Sequence, residues 1–208
     1  MSEIDDTKIF DYAHNVARNH KRIVEELRAE LQDKDYIIYT RAGSPIEFPK
    51  VQFTIGSLKD DLPDFVMTGE LAREGVEAFI KLCRDHLIRR VPEHVTRLLM
   101  HVDEMVKIIN EELAANGNEF DVRAIAIDTS QFMWGVGMNA RRFYGDYAED
   151  VKVIQLQVAR GGVFPEDIHY PQALYPQPLL PTSGFGNYRT PIPQWVKMQR
   201  QYQIHRFN

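Results

Sequence analysis

Between Val51 and Gly69 the chain packs two short β-forming runs around a turn-rich link, and this stretch constrains the fold more than any other. Phe53-Thr54-Ile55-Gly56 closes one run, and Pro63-Asp64-Phe65-Val66-Met67-Thr68-Gly69 carries the other straight into a helical pattern. Both runs are rich in β-branched and aromatic residues and too short for helices, so strands are expected over 51–55 and 65–68. Asp60-Asp61-Leu62-Pro63 supplies a hairpin-like link between them, and small polar residues sit where the strands end.

The rest of the chain supplies the other layers. Val16, Ile23, Leu27 and Leu31 fall near one stripe, extended by Ile9 and Tyr12, which predicts a helix from residue 5 to about 32. Tyr36-Ile37-Ile38-Tyr39 reads as a strand. A helix is expected over 70–90, weakened at Gly75 by roughly 1 kcal/mol relative to alanine and broken at Pro92. A second is expected over 92–115, stopped by Asn116-Gly117-Asn118. Strands follow over 122–127 and 151–158, with an irregular, glycine-punctuated stretch over 131–145. After Tyr170 the proline density rules out helix and central strand, so residues 171–208 read as an extended, proline- and aromatic-rich arm. The expected fold is α+β: a small, mostly antiparallel sheet of about five strands, packed on one face by helices, with that C-terminal arm. The expected organisation is an N-terminal helix (1–34), a core domain (35–170) with a helical insertion (92–116), and the arm.

Composition narrows the class of partner. With 25 basic against 30 acidic residues the formal charge is −5, and the basic residues are dispersed, which argues against a nucleic-acid partner. Cys83 is the single cysteine, so no intramolecular disulfide or thiolate cluster is available; it reads as a buried, inert thiol in a reducing compartment. The polar start Ser2-Glu3-Ile4-Asp5-Asp6 does not resemble a targeting peptide, and no run approaches the ~20 apolar residues of a membrane span. The expectation is a cytoplasmic protein without a membrane contact.

Several blocks together resemble a bacterial and phage family known only as a domain of unknown function. They are Thr54-Ile55-Gly56, Pro63-Asp64-Phe65-Val66, Thr68-Gly69, Phe143-Tyr144-Gly145, Gln155-Leu156-Gln157-Val158 and Phe164-Pro165, spanning roughly residues 35–168. Where the family pattern has Trp-Pro-Asp after the Gln-rich strand, this chain has Ala159-Arg160-Gly161-Gly162. The resemblance implies a fold and candidate positions, and no reaction.

No catalytic signature stands out. His94 and His101, seven apart on the expected 92–115 helix, would lie ~10.5 Å apart along its axis, too far to share a metal. His86 reads as a surface residue beside charges, and no metal or cofactor is expected. No serine occupies a nucleophile elbow, and the Gly135/Gly137 and Gly184/Gly186 pairs lack a phosphate-loop context and read as backbone bends. The ligand-binding candidates are Thr54, Thr68, Gly69, Arg141, Arg142, Tyr144 and Asp146, which could form a polar rim for an anionic or nucleotide-like molecule. The competing reading makes Thr68 a helix cap and Phe143-Tyr144 a core plug. In the arm, Tyr175, Tyr188, Trp195 and Tyr202 are the interface candidates, suited to a homo-oligomer or a protein partner; the competing reading is that the arm wraps its own domain. The leading expectation is therefore a non-catalytic intracellular accessory protein, phage or bacterial, that self-associates through its arm. The alternative is a small hydrolase or sequestering protein for an anionic small molecule.

Overall fold

A computed structural model describes residues 6–42, 49–115, 121–171 and 177–180, with the side chains of the first helix described from Ala17 onward. The elements run α1 (Asp6–Leu31), β1 (Ile37–Arg41), β2 (Val51–Ile55), β3 (Asp64–Thr68), α2 (Arg73–Arg90), α3 (Val102–Ala115), β4 (Val122–Ala126), α4 (Thr129–Trp134), α5 (Met138–Tyr144) and β5 (Val153–Val158). Short 3-10 turns lie at Ser57–Asp60, Arg97–Leu99 and Gly145–Glu149. The architecture is α+β, built on an open five-stranded sheet of order β1-β2-β3-β5-β4. Neighbours are antiparallel except the central pair β3 and β5, which run parallel.

Helices cover both faces of this sheet, where the sequence led to an expectation of one. The reason is visible in the strands: Phe65 and Met67 point one way while Val66 points the other, and β5 is buried along its whole length. A strand apolar on both sides needs cover on both sides. Val76, Ile80, Cys83 and Leu87 of α2, with Met105, Ile109 and Leu113 of α3, pack on Phe65, Met67, Ile154 and Leu156. On the opposite face, Leu27 of α1, Phe132 and Met133 of α4, and Ala140 and Tyr144 of α5 pack on Val51, Phe53, Ile55, Val66 and Val153. The expected insertion therefore contributes core: α3 lies against β4, where Asn110 accepts from Ala124 N–H at 2.7 Å and donates to Ala124 C=O at 3.0 Å.

Three helical expectations differ in detail. Helix α2 opens at Arg73 rather than Glu70, because Gly69 turns the chain in a left-handed conformation (φ 104°). The Gly69 N–H donates to Lys50 C=O, and the Leu71 carbonyl is taken by the Lys50 and Gln52 side chains, each at 3.0 Å. The expected 92–115 helix begins only at Val102. Asp61 accepts the N–H groups of Arg97 and Leu98, and the Arg97 guanidinium donates to the Ile88 and Val91 carbonyls at the end of α2. Those contacts hold 92–100 out of helix, so His94 and His101 do not share one. The stretch 131–145 is more regular than expected: Gly137 lets α4 and α5 approach, since a Cβ there would lie 2.3 Å from the Phe132 ring.

Of the expected arm, Pro171 and residues 177–180 are described, and 177–180 lie against the sheet. Tyr175, Tyr188, Trp195 and Tyr202 lie outside the described residues. No helix among the described residues is long and apolar enough to cross a membrane.

Candidate functional site

The blocks at 54–56, 63–66 and 143–145 meet in space around one carboxylate, Asp64. This residue heads β3 and is fully enclosed. Its Oδ1 accepts the Thr54 hydroxyl at 2.8 Å and Ser57 N–H at 3.3 Å, and its Oδ2 accepts the Tyr144 hydroxyl at 2.6 Å. The Tyr144 oxygen in turn accepts Gly56 N–H at 2.6 Å. Gly56 is required here: its φ is 106°, and a Cβ would come within 2.5 Å of the Leu31 side chain. Thr54 Oγ1 also accepts Phe65 N–H at 2.8 Å and the Ser57 hydroxyl at 3.4 Å. Arg84 closes the chain of donors, giving one N–H to Ser57 Oγ at 3.0 Å and another to Asp60 at 2.7 Å while lying over the Tyr36 ring.

Apart from the Arg84–Asp60 pair, the donors of this network run toward Asp64. Burial pushes its carboxyl up to about 6, against the hydrogen bonds from Tyr144, Thr54 and Ser57, which favour the anion. Burial and the neighbouring Asp64 charge push the Tyr144 hydroxyl far above its ordinary range, so it stays a donor. Thr54, Ser57 and Asp64 are closed to solvent, and each polar atom named here is used by another protein group. The network's chemistry is that of a clamp: it ties the β2–β3 connection to α5 on one side of the sheet and to α2 on the other.

A second polar group lies further along the sheet. Gln155 of β5 donates to Pro178 C=O at 2.9 Å and to Thr68 Oγ1 at 3.3 Å, while Leu180 N–H donates to its Oε1 at 2.9 Å. Thr68 donates to Pro178 C=O at 3.1 Å. Gln177 takes both main-chain groups of Val158, accepting its N–H at 3.1 Å and donating to its carbonyl at 2.9 Å, and also donates to the Tyr170 hydroxyl. Thr68 therefore anchors the arm and caps no helix.

The third group is an open cleft of about 640 Å³ between α4, α5 and the 145–149 turn. Met133, Trp134, Arg141, Asp146, Ala148 and Glu149 are among the residues that line it. The Arg141 guanidinium lies flat over the exposed Trp134 ring, 3.4 Å from its centroid. Arg142 turns the other way, donating to Asn139 Oδ1 at 3.1 Å, and Asn139 donates to the Tyr39 hydroxyl at 2.6 Å.

The seven ligand-binding candidates are thus divided among separate places. Thr54 and Tyr144 share the Asp64 network, Thr68 and the adjoining Gly69 lie where the arm docks, Arg141 and Asp146 share the cleft, and Arg142 faces Tyr39. Sequence reasoning missed Asp64, Ser57, Arg84, Gln155 and Trp134. Arg84 carried a signal: it lies four residues after Ile80 and three before Leu87, on the buried stripe of α2. Cys83 is buried as expected, its thiol pushed up to about 12. His86, expected at the surface, is buried between charges: its Nδ1 lies 2.7 Å from Arg89 Nη2 and 3.6 Å from Glu112, and burial lowers its basicity. Among the described residues, no three His, Cys, Asp or Glu side chains gather into a metal site. No family model, curated protein or solved structure matches this chain.

Proposed function

We propose that this chain is a non-catalytic intracellular accessory protein, bacterial or phage in kind, that associates with a second copy of itself through its C-terminal arm. The observation that supports this reading most is the way the arm is pinned. Gln177, Pro178 and Leu180 hold to Thr68, Gln155 and Val158 by hydrogen bonds on the sheet, with Leu180 sunk in the core. The 28 residues that follow start from a fixed point and carry Phe185, Tyr188, Trp195, Tyr202 and Phe207. Large aromatics in a proline-rich segment suit an interface. The polar groups with chemical potential in the sheet, Asp64 and Tyr144 foremost, are committed to one another, which favours a binding role over catalysis.

The test is mass in solution as a function of concentration, by light scattering after size exclusion, for the full chain and for a Trp195→Ala/Tyr202→Ala variant. The expected result is a concentration-dependent dimer or larger species that the variant weakens. A full chain that stays monomeric across the whole concentration series would remove the reading.

A second reading, sequestration of a planar anionic molecule, is favoured by the Trp134–Arg141 stack in the cleft. Against it, Asp146 and Glu149 place two carboxylates in the same cleft as that single arginine. A thermal-shift screen with nucleotides decides it, since a ligand that binds the native state raises the melting temperature.

A further inference from the structure

We propose that the cleft between α4, α5 and the 145–149 turn receives the basic, aromatic C-terminal segment of a second copy of this chain. The inference rests on the self-association reading above and names the surface that receives the arm. Trp134, 56% exposed, lines this cleft together with Met133 and Ala148, and Tyr147 on the 145–149 turn is 67% exposed. Asp146 and Glu149 add two carboxylates that make no ion pair within the described residues. Arg141, the one cation among the lining residues, is occupied by the indole face of Trp134. What the cleft offers is two open carboxylates beside an exposed indole. A segment that interleaves cations with aromatic rings fits that surface.

The chain carries such a segment. Residues 181–208 hold Arg189, Lys197, Arg200 and Arg206 and no acidic residue, which leaves the first 180 residues with 21 basic against 30 acidic, a formal −9. The cations are interleaved with rings, as Trp195 with Lys197, Arg200 with Tyr202, and Arg206 with Phe207. Opposite charge on body and arm steers the two together and disfavours arm-on-arm pairing. Leu180, the last described residue of the arm, is buried in the apolar layer on the same face of the sheet as Met133. From there 28 residues reach up to ~90 Å when extended, enough to enter the cleft of a neighbouring copy.

The test uses two charge-reversed full-length variants, Asp146→Lys/Glu149→Lys in the cleft and Arg200→Glu/Arg206→Glu in the arm, each checked for an unchanged circular dichroism spectrum. Sedimentation is then followed over a concentration series at low and at high salt. The expected result is that each variant alone self-associates at least about tenfold more weakly than the parent chain. An equimolar mixture of the two is expected to recover association, because reversed arm then meets reversed cleft. Salt should weaken the parent association and the rescue alike. If the cleft variant associates like the parent, the cleft is not the receiving surface, although self-association through the arm still stands. If the parent chain is monomeric throughout, the self-association reading fails and this inference falls with it. A monomer whose arm cross-links to its own cleft overturns both equally.

Discussion

Removing one oxygen atom, in Tyr144→Phe, tests whether the Asp64 network is an ionised clamp. The substitution keeps the ring packed against Phe143 and the core but deletes the donor to Asp64 Oδ2 and the acceptor of Gly56 N–H, both at 2.6 Å. A lost hydrogen bond to a charged group is worth about 1.5–3 kcal/mol, and the orphaned buried N–H adds a further cost, so a loss of about 3 kcal/mol is expected near pH 8. The pH dependence carries the sharper information. Asp64 sits at about 6 in the fold against an ordinary 3.8. A carboxyl raised on folding stabilises the native state fully below its unfolded value, and that contribution is lost as pH climbs from near 4 through about 6. The gap corresponds to about 3 kcal/mol of stability present well below pH 4 and gone by pH 8. Because the tyrosine hydrogen bond is one of those favouring the anion, deleting it raises Asp64 further and deepens that loss. The penalty of Tyr144→Phe should therefore be about 1 kcal/mol larger at pH 8 than at pH 5, measured by urea denaturation at both. Asp64→Asn, which has no carboxyl to titrate, should flatten the fall between pH 4 and 7. A penalty for Tyr144→Phe under about 1 kcal/mol, or one equal at both pH values, overturns the ionised clamp.

Three further outcomes follow from local geometry. Gly56→Ala forces a left-handed alanine against Leu31 and should lower stability by about 2 kcal/mol in chemical denaturation, whereas a neutral result would mean the turn can re-form elsewhere. Gly75→Ala, in a helical position of α2 where a Cβ meets nothing within 4 Å, should raise stability by about 0.5–1 kcal/mol. Cys83 should react with a thiol reagent only on the timescale of unfolding; rapid stoichiometric labelling of the native protein at pH 8 would contradict its burial.

How far the sequence could be read depends on the range of the forces involved. The run at 51–55 is a strand within the bounds its residues suggest, because β-branched and aromatic residues flanked by Gly and Pro specify extended chain locally. The helical stripes of α1 and α2 are legible for the same reason. The start of α3 is not, because what holds 92–100 out of helix is Asp61, 36 residues from Arg97 in sequence and adjacent to it only in the fold. Gly135 and Gly137 read as bends along the chain, yet Gly137 is there for the close approach of Phe132, a contact invisible until both short helices exist. The parallel pairing of β3 with β5 is likewise a long-range choice, made by which faces can be buried together.

The candidate site follows the same rule and gives it a reason. The sequence groups Thr54 with Tyr144 as rim residues but gives no sign that both serve Asp64, since Tyr144 lies 80 residues from that carboxylate. A buried carboxylate whose pKa is raised weakens the fold at neutral pH, so burial energy alone does not explain its presence. What it supplies is discrimination between arrangements. A one-residue slip of β3 against β2 would turn Asp64 to the apolar face that carries Phe65 and Met67, away from Tyr144. Such a slipped sheet would hold an unpartnered charge, whereas the observed register satisfies each of its oxygens. On that argument Asp64 selects the register on which the docking surface for the arm, Thr68 and Gln155, depends.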